Sequence, residues 1–418
     1  MRRLRSRIRR SRIRTPKARG PLRHYASLLS ARAAGAIPLT VERNAGQRLR
    51  RLAETAGDGV SQRVRPTRPK MRVLSALPGG RLRWWQAPAP PAPGPDGAVV
   101  HPIAAATCDI DCPLVLGVTP LTLPLHLGHE CVAEVLSVGE RVRTVAPGDR
   151  VIVPFQISCG ACGACASGHT GNCTSVPPIS MYGMGVLAGH WGGAFSDELA
   201  VPYADAMLVP LPEGIDPVAA ASVADNVCDA YRHIAPHLPA LLQADPGAEI
   251  LILGALDERS PFGGSLPLYT ALIARAFGAG GIVLADNRPA VRAHAQRLGI
   301  ETLRPRRLRR RAFPLVIDAT VDGLSTALTH VAADGVCSSS GSFEHTAKVP
   351  ALHMYVRNVT LHFGRTHARA LMPAVLELML DGRLRPQEVV TTVAPLDHAP
   401  SVLHEHFRSG GAKAVLTA

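Results

Sequence analysis

Four cysteines within fifteen residues constrain this chain more than any other feature. Cys159, Cys162, Cys165 and Cys173 stand in CGACGACASGHTGNC, a C-x2-C-x2-C-x7-C spacing. Short Cys-x2-Cys steps let the thiolates of one tight loop converge on a tetrahedral metal, and the intervening glycines permit the turns. Four sulfurs close the coordination sphere, so the spacing predicts a structural zinc that takes no substrate. An iron–sulfur cluster is the competing reading of the same residues. Nine cysteines in 418 residues do not make a disulfide scaffold, and their clustering points to metal in a reducing compartment. The cytoplasm is therefore the expected location. No apolar run approaches the ~18 residues of a membrane span, and no signal-peptide core is visible.

The formal charge of +14 suggests a nucleic-acid binder until it is divided along the chain. Residues 1–70 hold 20 basic side chains against three acids, Glu42, Glu54 and Asp58. Residues 71–418 carry 26 basic and 29 acidic side chains, a net of −3. The body is slightly acidic, which argues against nucleic acid as a partner. The Arg-rich extension 1–70 reads as disordered, or as text upstream of a start at Met71; a phosphate-binding arm and an organellar transit peptide are the alternatives.

The four-Cys loop follows GHECVAEVLSVGERVRTVAPGDRVIVP (residues 128–154). Together the two segments closely resemble the zinc-containing alcohol dehydrogenases of the medium-chain dehydrogenase/reductase family, from about Met71 onward. Gly139, Gly148 and Asp149 fall where that family's barrel turns place glycines and an acid. The resemblance implies an α/β fold: a GroES-like β-barrel catalytic domain over 71–212, completed by 351–418, and a Rossmann doubly wound parallel sheet over 213–350. It also implies a second, catalytic zinc. Cys108 and Asp111 in ATCDID match the family's Cys-x-x-Asp turn, and His129 lies in its Gly-His-Glu triplet. Asp225 in SVADNVCDAYRHI is the best match to the third ligand, with Cys228 as competitor. Such a Cys/His/Asp set suits zinc and leaves one position for water, an alcohol or a carbonyl. Asp111 and Glu130 are expected to orient those ligands. One departure stands out: Ile110 occupies the position of the family's Ser or Thr, and Ile110 neither donates nor accepts a proton.

The run AEILILG (248–254) ends in Gly254 and reads as a buried parallel strand. A helical pattern follows Gly263 and Gly264, and IVLADN then ends a second strand in Asp286. Strand, glycines, helix, strand and acid make a dinucleotide-binding unit, with pyrophosphate at the helix N-terminus and the acid on a ribose hydroxyl. An acid there favours NAD over NADP, although Arg288 leaves NADP open. Thr320 and Gly341 stand at later strand ends where further cofactor contacts are expected. The fingerprint is altered, because ALDERSPF separates Gly254 from Gly263 and Pro267 takes the place of the third glycine. The Arg run 304–311 reads as a solvated loop.

The combined expectation is a zinc-dependent oxidoreductase moving hydride between a small alcohol or carbonyl and NAD(H). It would carry two zincs per chain and form a homodimer or homotetramer, as the resemblance suggests. A formaldehyde or polyol dehydrogenase, and a zinc-stabilised relic with impaired nucleotide binding, are the alternatives.

Overall fold

The computed structural model describes residues 68–119, 121–341 and 347–418, with scattered positions between 51 and 61. Residues 1–50, most of the expected extension, lie outside the described residues. Arg51, within it, stacks its guanidinium 3.8 Å from the Trp191 ring centroid.

The first half of the described chain supplies β1 (Lys70–Leu77), β2 (Arg81–Pro88), β3 (Ala98–Ala106), β4 (Leu125–His126), β5 (Glu130–Val138), β6 (Arg150–Val153), β7 (Leu199–Val201) and β8 (Val209–Pro210). The middle supplies β9 (Glu249–Leu253), β10 (Gly281–Ala285), β11 (Glu301–Leu303), β12 (Phe313–Asp318), β13 (Val331–Ser339) and β14 (Thr360–Phe363). The last segment adds β15 (Val390–Pro395) and β16 (Lys413–Thr417).

One sheet runs β15-β16-β3-β5-β6-β8, with β7 also paired to β3. The last strand of the chain thus lies antiparallel to β3, Val415 opposite Ala106, and completes a sheet begun some 300 residues earlier. Strand period two divides its side chains between two cores. Cys131, Ala133, Val151 and Val153 enter the barrel interior with Leu74, Leu127 and Phe195. Val132 and Ile152, between them, face a second core shared with the helices of the other half. Between β3 and β4 lies a short helix, α1 (Asp111–Leu116), which ends on Gly117 at a left-handed φ of 67°. Glycine adopts that conformation without steric cost, and its N–H returns to Leu114 O.

The second sheet is parallel throughout, in the order β11-β10-β9-β12-β13-β14. That is the doubly wound 3-2-1-4-5-6 order, and it reverses direction between β9 and β12. β9 reads EILIL because both its faces are covered: Ile250 and Ile252 enter one core, Leu251 and Leu253 the other. This sheet extends to Phe363, so it runs past residue 350, where the sequence reading ended it. α2 (Asn226–Ile234) leads into the half, and α3 (Ser265–Ala276) follows β9. α3 is buried over its first ten residues, which explains its apolar sequence LPLYTALIA. Pro267 sits in its first turn, where the missing N–H costs no helical bond. α4 (Ala351–Arg357) lies before the edge strand β14.

Candidate active site

Two clusters of metal-ligating side chains form among the described residues. In the first, Cys159, Cys162, Cys165 and Cys173 hold their sulfurs within 4.8 Å of one another. Backbone N–H groups point at them: Cys162 N lies 3.3 Å from Cys159 Sγ, and Thr174 N lies 3.4 Å from Cys162 Sγ. Hydrogen bonding from Thr174 draws the Cys162 thiol down to about 5, toward the thiolate that binds metal. The donor set and its closeness fit a four-sulfur zinc.

The second cluster joins Cys108, His129, Glu130 and Asp225, with donor atoms again within 4.8 Å. Cys108 follows β3, His129 precedes β5, and Asp225 stands at the entry to α2, so three separate elements converge where the two cores meet. Cys108 Sγ lies 3.2 Å and His129 Nε2 lies 3.4 Å from Asp225 Oδ2. His129 is 2% exposed, yet neither ring nitrogen makes a hydrogen bond. A buried polar group without a partner is costly, so this imidazole is shaped for a ligand. Burial pushes the Cys108 thiol well above its usual value, and Asp225 and Glu130 push further. A thiol and carboxylates crowded in this way are what a divalent cation neutralises, and the set fits zinc. Asp111 Oδ2 accepts from Cys108 N at 2.8 Å, and its Oδ1 stands 4.0 Å from His129 Nδ1. Cys228 is not brought in: it is fully buried and its thiol donates to Val223 O at 3.0 Å. Ile110 packs against the barrel core.

Two residues of this site are missing from the sequence reading. Lys413 on β16 is fully buried and places Nζ 2.9 Å and 3.1 Å from the Glu130 carboxylate oxygens. Burial pushes the Glu130 carboxyl up to about 8, against the opposing pull of Lys413. Lys413 also donates to Thr107 O and to Asn226 Oδ1. Asn226 in turn donates to Cys108 Sγ at 3.3 Å. The signal was faint: one of only four lysines, set in the apolar run AKAVLT.

The expected cofactor residues gather at the carboxyl ends of the parallel strands. Gly254 follows β9 so close to Asp286 that a Cβ would run into its carboxylate. Gly263 and Gly264 lead into α3, and Thr320 and Gly341 follow β12 and β13. Topology and placement fit a dinucleotide. The anchors themselves are engaged within the chain. Asp286, expected on a ribose hydroxyl, is fully buried and takes Arg288 Nη2 at 2.6 Å and Nε at 3.0 Å. Arg288 also donates to the carbonyls of Phe262 and Gly263. Thr320 Oγ1 is spent on Asp318 at 2.7 Å.

Residues 94–213 match the alcohol dehydrogenase GroES-like domain family. The probable zinc-binding alcohol dehydrogenase of Mycobacterium tuberculosis is 32% identical over 344 residues, covering 79% of this chain and 83% of that protein. The glutathione-independent formaldehyde dehydrogenase of Pseudomonas aeruginosa is 34% identical over 211 residues, about half of each chain. Among solved structures, an alcohol dehydrogenase from Thermus sp. ATN1 superposes with a TM-score of 0.73 at 28% identity, covering 83% of this chain and 99% of that one. An Escherichia coli alcohol dehydrogenase complexed with NADH shares the fold, with a TM-score of 0.68 at 20% identity, over 84% of this chain and 99% of that one.

Proposed function

The chain belongs to the zinc-binding alcohol dehydrogenases, and on that premise we propose that Cys108, His129 and Asp225 hold the zinc at which this oxidoreductase acts on a small alcohol or carbonyl. The observation carrying the assignment is the buried His129 ring with two unpartnered nitrogens facing a thiol and a carboxylate. When bound, zinc polarises the substrate oxygen and a nicotinamide exchanges the hydride.

The chain's own residues prepare that chemistry. Asp111 fixes the Cys108 turn through its backbone and faces the far nitrogen of His129, so Nε2 is the nitrogen aimed at the metal. Lys413 holds the Glu130 carboxylate in place behind the ligands. Asn226 steadies the Cys108 sulfur. Phe155, its ring centroid 6.0 Å from that of His129, supplies an apolar wall that keeps water away. With Ile110 at the start of α1, no side-chain hydroxyl stands at that position to take the proton.

Cys159, Cys162, Cys165 and Cys173 hold a second, structural zinc. NAD is the proposed dinucleotide, because Arg288, the side chain that could host a 2′-phosphate, is turned inward onto Asp286 and the carbonyls of Phe262 and Gly263. The enzyme works in the cytoplasm, and among the described residues no helix is long and apolar enough to cross a membrane. It acts as a homodimer or homotetramer: β14 is the last strand of its sheet, and Leu352, Tyr355 and Val356 of the adjacent α4 are 76%, 82% and 70% exposed. Light scattering separates dimer from tetramer, and Tyr355→Asp should lower the mass if this face is the interface. Metal analysis tests the zinc count, with two per chain expected and one after Cys162→Ser. An oxidation panel from formaldehyde to a secondary polyol separates the substrate classes.

A further inference from the structure

We infer that Asp109 is a built-in competitor for the dinucleotide's pyrophosphate, so that nucleotide affinity is set by how readily this carboxylate leaves the end of α3. The inference rests on the reading that the parallel-sheet half binds a dinucleotide.

Asp109 lies between Cys108 and Ile110, on the turn that presents the metal ligand, yet its side chain caps a helix 156 residues away. Oδ1 accepts from Ser265 N at 2.9 Å and from the Ser265 hydroxyl at 2.5 Å, and Oδ2 accepts from Leu266 N at 2.9 Å. Its main-chain oxygen takes Gly263 N at 2.8 Å. A helix ordinarily caps itself with Ser, Thr, Asp or Asn at the preceding position. α3 has Gly264 there, which offers no side chain, so the orphan N–H groups stay available to an outside anion. In a strand–helix–strand unit of this topology that anion is the dinucleotide phosphate. Here a carboxylate from the metal-binding half holds the same two N–H groups.

The rest of the cradle is closed in the same sense. Arg288 ties Asp286 to the carbonyls of Phe262 and Gly263, across the mouth of the ALDERSPF segment. A dinucleotide arriving at α3 therefore meets negative charge where its own must sit. It binds only the fraction of molecules in which Asp109 has swung away, so the apparent Kd is the intrinsic Kd divided by that fraction.

Displacement also reaches the metal site. The single proton of the Ser265 hydroxyl is contested by Asp109 and by Asn226 Oδ1, 2.8 Å away. When Asp109 leaves, that proton turns to Asn226, which itself donates to Cys108 Sγ and accepts from Lys413. Nucleotide arrival and the setting of the Cys108 ligand are therefore coupled through two hydrogen bonds and one shared turn.

The test is titration of NADH and NADPH, followed by fluorescence, into the zinc-loaded full chain and into Asp109→Ala and Asp109→Asn. A freed helix end gives Asp109→Ala NADH binding about tenfold tighter than the unmodified chain. Asp109→Asn, which keeps an acceptor but loses the charge, gains less. Zinc content and circular dichroism stay unchanged in both. Asp109→Asn decides the matter should the Ala variant fail to fold, because a gain is still required of it. Equal or weaker NADH binding in the variants, beside measurable binding by the unmodified chain, overturns the role of Asp109 and leaves the dinucleotide reading standing. No binding of either nucleotide by any of the three folded, zinc-loaded proteins at millimolar concentration overturns both.

Discussion

The metal cluster and the nucleotide cradle share the segment Cys108–Asp111, but their polar groups are wired in opposite ways. At the metal cluster, buried donors face one another without partners: both nitrogens of His129 and Oδ1 of Asp111 make no hydrogen bond. At the cradle, two anchors that a nucleotide would use are already paired, Asp286 with Arg288 and the N-terminus of α3 with Asp109. Unpaired buried groups are unfavourable until a ligand arrives, and they advertise the site. Paired ones are comfortable in its absence, so a ligand must outcompete them. One fold thus carries a site kept open beside a site kept shut.

The largest effect expected from breaking this contrast is at His129. His129→Ala removes the one imidazole ligand, so turnover of the loaded enzyme should fall by about 10³-fold or more while circular dichroism is unchanged. Unaltered turnover would remove the metal cluster from the mechanism.

Arg288→Ala opens the other site. It leaves Asp286, fully buried, without its ionic partner, and breaking such a pair costs about 3 kcal/mol. Denaturant unfolding should show that loss; a change below about 1 kcal/mol would mean the cradle is not held shut by this pair.

Acid probes the half that carries the metal cluster. Burial pushes the imidazoles of His126 and His406 down to about 4, so both are neutral in the folded chain. An unfolded imidazole titrates near 6.5, and the unfolded state therefore binds more protons between those values. Stability should be full above pH 6.5 and decline as pH falls toward 4, by about 2 kcal/mol at pH 5 for each histidine. The tryptophans at 84, 85 and 191 all lie in this half and supply the fluorescence signal. Glu130, pushed up to about 8, adds stability as pH falls over the same interval, so the two rings are isolated by comparison with a His126→Gln, His406→Gln variant. Identical profiles would contradict their burial.

The smallest effect is the most diagnostic. Asp225→Asn in metal-free protein removes a carboxylate from a cluster with too many, so stability should stay within about 0.5 kcal/mol or rise. The same substitution should weaken zinc retention in dialysis against a chelator. A large loss of stability without metal would show that Asp225 serves the fold and not a ligand.

What could be read from the amino acids depended on how far apart the partners lie. The four-sulfur lobe was fully legible, because its ligands span fifteen residues and need only local turns to meet. The strand β9 was legible too, since a strand covered on both faces must read as an unbroken apolar run. Cys108 and His129 were legible only through the family resemblance, as its Cys-x-x-Asp turn and Gly-His-Glu triplet. Lys413 and Asn226 were not, because neither belongs to a local pattern and their partners lie 283 and 118 residues away. Arg288 was noticed, but as a possible host for a 2′-phosphate. Only the folded loop shows its guanidinium turned inward onto Asp286 and two carbonyls. Asp109 passed unremarked beside Cys108, since nothing in the neighbouring residues announces a helix that it caps from another part of the fold.

The place of Lys413 on β16 also imposes a timetable. The four sulfurs of the lobe are all present once residue 173 has been made, while most of the chain is still to come. The other cluster has its three ligands by residue 225, but the ammonium that balances Glu130 arrives only with β16. Until that strand zips onto β3, Glu130 lacks this counter-charge, and the site around it is not finished. On the proposal that both clusters hold zinc, the lobe has its full set of sulfurs early in the chain, and the second cluster is complete only once the chain has closed.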